Sequence, residues 1–269
     1  MSTFPDVNAL VAALPARGAY VEKDSIASVA NVHMTLWRAP GRPGLGEKPG
    51  SAAGLACSRL TQGAGPLFPV SGGKRNHCLS LTAFLSQPGT VQVVDRVWHS
   101  DSLSLNANAP QAVNSVALPA RAGGGTGLEL ALEIWTPGGV TALSPSASYT
   151  DPVSGAGRTA TMAAGAVPGS AIAGRFFPFT LQGTDRGVSS VQTCTTGLSG
   201  VAGEGGLVLY RPLFELVLPS STSTAYNGFS ETGLFEIPDD ACLALLDLTA
   251  TATSGKVRVE YKLVQAVPG

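Results

Sequence analysis

Three observations predict an all-β fold. Charged residues make up only 13% of the 269 positions, glycine and proline supply 33 and 19 of them, and apolar residues alternate over short runs bounded by small-residue turns. A cytosolic enzyme of this length carries about a quarter charged residues. The strand–helix–strand rhythm of a nucleotide-binding sheet does not run through the chain. Short strands joined by Gly/Pro turns make a sandwich or a barrel. The expected architecture is therefore a jelly-roll-like β-sandwich. Residues 1–54 form an N-terminal segment or extended arm, 55–165 a first lobe and 166–269 a second, with 55–269 as one larger β domain the alternative.

The elements follow in order. Val7–Leu14 (VNALVAAL) reads as a short helix, capped by Asp6 and stopped by Pro15. Val29–Arg38 holds one strand. Ala39–Gly54 (APGRPGLGEKPGSAAG) is too rich in Gly and Pro to sustain a ladder or a helix. It is expected as an arm reaching over a neighbour or as a plain surface loop. Val91, Val93 and Val97 share one face of a strand, with Gln92, Val94, Arg96 and Trp98 on the other. Leu128, Leu130, Leu132 and Ile134 alternate with Glu129, Ala131, Glu133 and Trp135, which predicts a half-buried strand with a polar face, ended by Pro137-Gly138-Gly139. Ser148–Thr150 and Arg158–Thr161 flank Asp151–Gly157 as a hairpin. Leu207–Tyr210 and Cys242–Leu248 are short strands. Val257, Val259, Tyr261 and Leu263 alternate with Arg258, Glu260 and Lys262, so the last strand has one solvated face.

A faint repeat runs through this order. Cys78–Trp98 resembles Cys194–Phe214: each runs from a cysteine through a Gly-bearing turn to an apolar strand near an arginine, Arg96 or Arg211. Gly127–Gly139 parallels Ala241–Gly255. Two similar sandwich lobes account for it; so does the strand–turn spacing common to all sandwiches.

Charge sets the partner classes. The 17 basic and 18 acidic residues leave a formal net charge of -1. Nothing forms the basic stripe that nucleic-acid binding needs. Sparse charge near neutrality favours association, so much of the surface is expected to lie against copies of this chain or another protein. No run approaches the ~18–20 apolar residues of a membrane span. Met1–Asn8 lacks the basic-then-apolar pattern of a secretory leader, and accumulation in the cytoplasm where the chain is made is expected.

Reactive groups are scattered. Cys57, Cys78, Cys194 and Cys242 form no Cys-x-x-Cys pair and are expected as buried free thiols. His33, His77 and His99 belong to no metal-binding array and are expected at the surface or an interface. His99-Ser100-Asp101 holds the residue types of a hydrolase triad, but triads converge in space rather than along three consecutive residues. Asp101 and Ser102 are expected to end a strand or cap a turn. Glu129 and Glu133 are about 13 Å apart at strand rise, too far for a direct carboxylate pair. Asp239-Asp240 reads as a turn or cap, with a divalent ion as the sharper alternative. Ser71–Arg75 (SGGKR) departs from the phosphate-loop pattern at Phe68 and Arg75 and reads as a basic turn facing an acidic neighbour. Trp37, Trp98 and Trp135 are expected in core or rim packing, with interface anchoring and a sugar platform as alternatives. No catalytic, cofactor or metal residue is expected, and the chain reads as non-enzymatic.

Four segments carry a resemblance: FPDVNALVAALPARGAYVEKDSIASVANVHMTLWRAPGRPG at the start, DRVWHSDSLSLNANAPQAVNSVAL in the middle, the hairpin SYTDPVSGAGRTATM and the late PDDACLALLDLTATATSG. Together they resemble tailed-bacteriophage virion structural proteins. The resemblance implies a multicopy particle component with a β-sandwich or jelly-roll body, and it transfers no site residue. The expected role is capsid decoration or minor capsid protein, assembled as a homo-oligomer, a trimer by the logic of quasi-threefold positions, on the major capsid or other virion proteins. A neck or tail component, including a fibre or baseplate receptor-binding protein, is the alternative. An enzyme on a β fold is a third reading, which no residue constellation supports.

Overall fold

The computed structural model describes residues 16–221, 223–228 and 232–267, together with Asn8 and Leu14. The expected helix at Val7–Leu14 and its Asp6 cap fall largely outside the described residues. Twenty strands follow in order among the described residues. The first half of the chain holds β1 (Arg17–Lys23), β2 (Met34–Thr35), β3 (Gly41–Arg42), β4 (Leu55–Ala56), β5 (Arg75–Leu85), β6 (Gly89–His99), β7 (Leu103–Ser104), β8 (Asn106–Ala107), β9 (Gln111–Ala112) and β10 (Glu129–Thr136). The second holds β11 (Ser146–Asp151), β12 (Gly155–Thr161), β13 (Phe176–Pro178), β14 (Ser190–Thr195), β15 (Gly197–Leu198), β16 (Glu204–Leu218), β17 (Ser223–Asn227), β18 (Glu236–Ile237), β19 (Leu243–Thr249) and β20 (Val257–Ala266). A single 3-10 segment, Ala120–Gly125, is the only helical element longer than one residue among the described residues.

The long strands β6 and β16 pair antiparallel along almost their whole length and form the axis of a central sheet ordered β13-β10-β16-β6-β19-β2. A second sheet runs β17-β5-β20-β1-β3, and a third β12-β11-β14-β9. Both lie on one face of the central sheet, side by side along its long strands. Val91, Val93, Leu216 and Leu245 meet Leu81, Ala83, Val259 and Tyr261 of the second sheet. Further along, Leu130, Leu132, Leu207 and Leu209 meet Ala147, Tyr149, Ala160 and Val191 of the third. The opposite face of the central sheet carries its own apolar cluster of Val94, Ala131, Val208, Tyr210, Ala244 and Leu246. The fold is the expected all-β sandwich.

The main strands of the faint repeat fall in the central sheet. The repeat's two apolar strands, β6 and β16, are the antiparallel neighbours at the centre of the sheet. The second pair flanks them crosswise: β10 lies beside β16, and β19 beside β6. Residues 55–165 and 166–269 therefore interleave in the central sheet.

Several expectations are corrected. The strand expected to have a polar face, β10, is buried on both faces: Ala131 and Glu133 are as enclosed as Leu132, because β13 and β16 flank it and each of its faces meets an apolar cluster. The alternation along β6 breaks at Val97. Trp98 pairs with Leu209 and Arg96 with Tyr210, which leaves Val97 as a bulge. Ala39–Gly54 is mostly exposed or half-buried, as the surface-loop expectation has it, but is pinned at Gly46. Gly46 lies flat on the Trp37 indole, where a Cβ would sit 2.2 Å from a ring carbon. Trp37 Nε1 donates to Glu47 O at 2.9 Å and Gly46 N to Trp37 O at 2.7 Å. The segment is a strap on its own sheet. His77 and His99, expected at a surface, are both fully buried.

Other expectations hold. The hairpin β11–β12 is present, its turn held by Asp151 Oδ2, which accepts from Val153 N and Ser154 N. The last strand, β20, alternates buried and solvated positions from Val257 to Leu263. All four cysteines are free and buried.

Candidate functional site

The bulge at Val97 builds the most unusual site in the molecule. In a regular strand, residues three apart point to opposite faces. The extra residue puts Arg96 and His99 on the same face, and Arg96 Nε donates to His99 Nδ1 at 3.0 Å. From the next strand but one, Glu133 projects onto that face, and Arg96 Nη2 meets its Oε2 at 2.5 Å. The guanidinium also lies over the indoles of Trp37, at 4.8 Å, and Trp135, at 6.0 Å. The His99 ring meets Trp37 edge-on at 5.6 Å. Arg96 and Glu133 are 2% and 1% exposed.

Desolvation dominates the protonation states here. Burial pushes the Glu133 carboxyl up, against the downward pull of Arg96 and Arg38. Burial, then the Arg96 charge, pushes His99 down to about 2. Because Arg96 donates to Nδ1, His99 is a neutral imidazole with its proton on Nε2. It is no general acid or base near neutrality. Nε2 and Glu133 Oε1 are buried without a hydrogen-bond partner.

The triad residue types do not converge. Ser100 Oγ accepts from Leu207 N at 2.9 Å. Asp101 Oδ2 accepts from Gly50 N at 2.8 Å, and Oδ1 accepts from Ser102 Oγ at 2.8 Å. Neither touches the His99 ring; Asp101 holds the turn after β6, as the sequence suggests. Glu129 accepts from the Tyr210 hydroxyl at 2.6 Å, so the two β10 carboxylates have separate partners. Asp239 takes Arg75 at 2.9 Å, while Asp240 lies 3.9 Å from Arg59 and 3.7 Å from Arg121. These two aspartates are neutralised by side chains of their own chain. The basic turn at Ser71–Arg75 likewise faces Asp239 and Glu236 of the same molecule. Among the described residues, no group of three or more His, Cys, Asp or Glu side chains is placed to hold a metal ion.

Of the three tryptophans, Trp37 and Trp135 converge on Arg96, while Trp98 turns to the other face and donates to Ala53 O at 3.0 Å. Sequence reasoning missed Arg96 and Glu133 as partners. The available signal was a charge inside each of two apolar strands, with a tryptophan two residues beyond it in both cases: Arg96–Trp98 and Glu133–Trp135. It also missed the contacts of Arg121 and Arg211. Arg121 binds Asp95 at 3.0 Å, and Arg211 donates to the carbonyls of Arg121, Ala122 and Thr126. A separate ion pair, Arg158–Asp185, closes at 2.7 Å, with the Tyr149 hydroxyl donating to the same carboxylate at 2.6 Å. Arg158 and Tyr149 hold the Asp185 carboxyl below its ordinary range.

Beside the Arg96 cluster lies an open cavity of about 580 Å3, lined by Arg38, Lys48, Trp135, Thr136, Ile26 and Ile172 among others. Lys48 is already engaged, by Glu204 at 2.6 Å. Chemically, the arrangement holds strands and strap together; it presents no activated nucleophile.

No protein family and no curated protein matches the chain. Similar solved structures include the VP2 subviral particle of infectious bursal disease virus, at 11% identity and a TM-score of 0.21 over 100% of this chain and 84% of that one. The Gx strain of the same virus gives 10% identity and a TM-score of 0.23, over 94% of this chain and 81% of that one. At these scores the likeness carries no argument about function. No helix among the described residues is long and apolar enough to cross a membrane.

Proposed function

We propose that this chain is a non-enzymatic structural component of a tailed-phage virion, a capsid decoration or minor capsid protein that bridges subunits of the head. One observation carries the reading. Three ion pairs, Arg96–Glu133, Arg121–Asp95 and Arg158–Asp185, are drawn into the fold, while large apolar side chains stand in solvent. Leu60, Val140 and Val153 are 78%, 85% and 89% exposed. Val140 belongs to a loop cluster with the exposed Leu198 and Val201, tied by Thr141 N donating to Ser199 O at 3.3 Å. Surfaces of this kind gain from association, at roughly 25 cal/mol per Å2 of apolar area removed from water. The resemblance of four sequence segments to phage virion proteins supports the same role. The partners are further copies of the chain, as a trimer, and the major capsid or other virion proteins.

Particle imaging at a resolution that traces the chain is the test. Hundreds of copies on the head are expected. A few dozen copies or fewer at a neck, fibre or baseplate would replace this reading with the tail one. Turnover of acyl or glycosyl substrates by the purified chain would overturn the non-enzymatic assignment.

A further inference from the structure

Cys57 and Cys242 are distant in sequence and adjacent in the sheet. β16 occupies one edge of β6, so β4 and β19 share the other. β4 covers Trp98 and His99, and β19 covers Gly89 to Asp95. The ladder continues across the gap between them. Cys57 N donates to Val97 O at 2.9 Å, and Arg96 N donates to Cys242 O at 2.9 Å. The two cysteines therefore stand opposite consecutive residues of one strand. Consecutive strand positions are roughly 3.3 Å apart, which places the pair inside the separation of about 7 Å beyond which cysteines cannot be bridged. Both side chains lie in the same apolar cluster, with Val94, Ala131 and Ala244. Burial first, and then the neighbouring Cys57 thiol, push the Cys242 thiol well above its ordinary range. The remaining thiols lie elsewhere: Cys78 in the core under the second sheet, and Cys194 in the core under the third.

From this geometry we propose that Cys57 and Cys242 form a latent disulfide, closed when the folded chain meets an oxidising small-molecule disulfide. One thiol loses its proton to solvent and attacks a sulfur of the external disulfide, releasing one small-molecule thiolate. The second thiol, deprotonated in turn, displaces the other small-molecule thiolate and completes the bond. Both released thiolates take up protons. The two cysteine sulfurs are oxidised and one external disulfide is reduced to two thiols.

Access runs through β4. That strand is two residues long, and Ala56 within it is exposed, so its opening needs the rupture of few contacts. Closure ties the segment carrying β4 to the edge of the central sheet. It also closes a loop of well over 100 residues, for which the unfolded chain loses the most entropy. The device suits a protein made in a reducing cytoplasm and used outside it.

The test is equilibration of the full chain with oxidised glutathione at pH 8.5, in urea just below the unfolding transition. Thiol counting under denaturing conditions and peptide mapping follow. Free thiols are expected to fall from four to two, with a single cross-linked peptide joining Cys57 to Cys242. The midpoint of thermal unfolding is expected to rise by roughly 5–10 °C, reversed by a reductant. The Cys57→Ser chain is expected to show neither the cross-link nor the rise. Retention of all four thiols, a bridge to Cys78 or Cys194, or a bond that lowers the unfolding temperature would overturn the proposal.

Discussion

Arg96 and Glu133 meet at 2.5 Å, on strands separated by β16. Neither charge reaches water, and the guanidinium fills the space between two indoles. Removing one partner leaves the other buried and uncompensated, which costs about 3–5 kcal/mol. Glu133→Ala is therefore expected to lower the stability measured by urea unfolding by that amount. The double change Arg96→Met with Glu133→Leu, which replaces the pair by apolar volume, is expected to recover most of the loss. A double variant as unstable as the single one would mean that the pair contributes more than the cost of its own burial.

His99 is expected to stay neutral through the physiological range. Its folded value is about 2, below the ordinary 6.5, so the unfolded chain takes up the proton first. The contribution of His99 to stability is intact above pH 6.5 and declines as pH falls through the window from 6.5 toward 2. Between pH 6.5 and 4 this one group removes about 3 kcal/mol. Urea unfolding across that range checks it, with His99→Gln expected to flatten the decline. Nitrogen chemical shifts of the ring are expected to report a proton on Nε2 and none on Nδ1 at pH 5.

Asp247 has the opposite sign. It is 1% exposed, and burial raises the group to about 7 against the smaller downward pull of the Leu248 backbone amide. The folded chain therefore holds a proton that the unfolded chain has released, and stability falls as pH rises from about 4 to 7. Asp247→Asn, which mimics the protonated form, is expected to match the parent at pH 4. At pH 8 it is expected to exceed the parent by up to about 4 kcal/mol. Equal unfolding midpoints of the variant and the parent at pH 8 would contradict the burial argument.

What could be read from the sequence divides along a physical line. The all-β class, the β11–β12 hairpin, the alternation of β20 and the buried thiols are local or compositional properties, and each was legible. The bulge at Val97 was not, because one inserted residue leaves the pattern Val91, Val93, Val97 looking like an ordinary strand. The Arg96–Glu133 pair could not be read either. It joins residues of different strands through register, which periodicity does not contain. The strap was legible only in part, for a related reason. Gly and Pro report correctly that Ala39–Gly54 forms no long ladder, but not that Gly46 is the one residue small enough to lie on Trp37.

The strap supplies its own prediction. A Cβ on Gly46 would overlap the Trp37 indole, whose other neighbours are the Arg96 guanidinium and the His99 ring. Gly46→Ala must therefore lift the strap or tilt the ring. A loss of about 1–3 kcal/mol is expected, together with a shift in the emission of a buried tryptophan. Gly44→Ala, in the same segment with no positive φ and nothing within 4 Å of its Cβ, is the control for the substitution itself.

Particle binding is expected to separate the N-terminal residues from the sandwich. Arg17–Tyr20 are not part of an arm. They open β1, whose pairing with β20 runs from Arg17 opposite Leu263 to Lys23 opposite Val257. Tyr20 also stacks against the guanidiniums of Arg42 and Arg258. A truncation that removes residues 1–20 therefore cuts into the second sheet and confuses binding with folding. Removal of residues 1–15 spares that ladder. If the N-terminal residues contact neighbouring subunits, the shorter truncation is expected to unfold at the same urea concentration as the full chain while saturating shells at least tenfold less tightly. Unchanged shell affinity with an intact fold would move the contact surface to the apolar loop cluster of Val140, Leu198 and Val201. There Val140→Asp is expected to weaken binding while leaving the unfolding midpoint in place, because a side chain 85% exposed contributes little to the fold of the isolated chain.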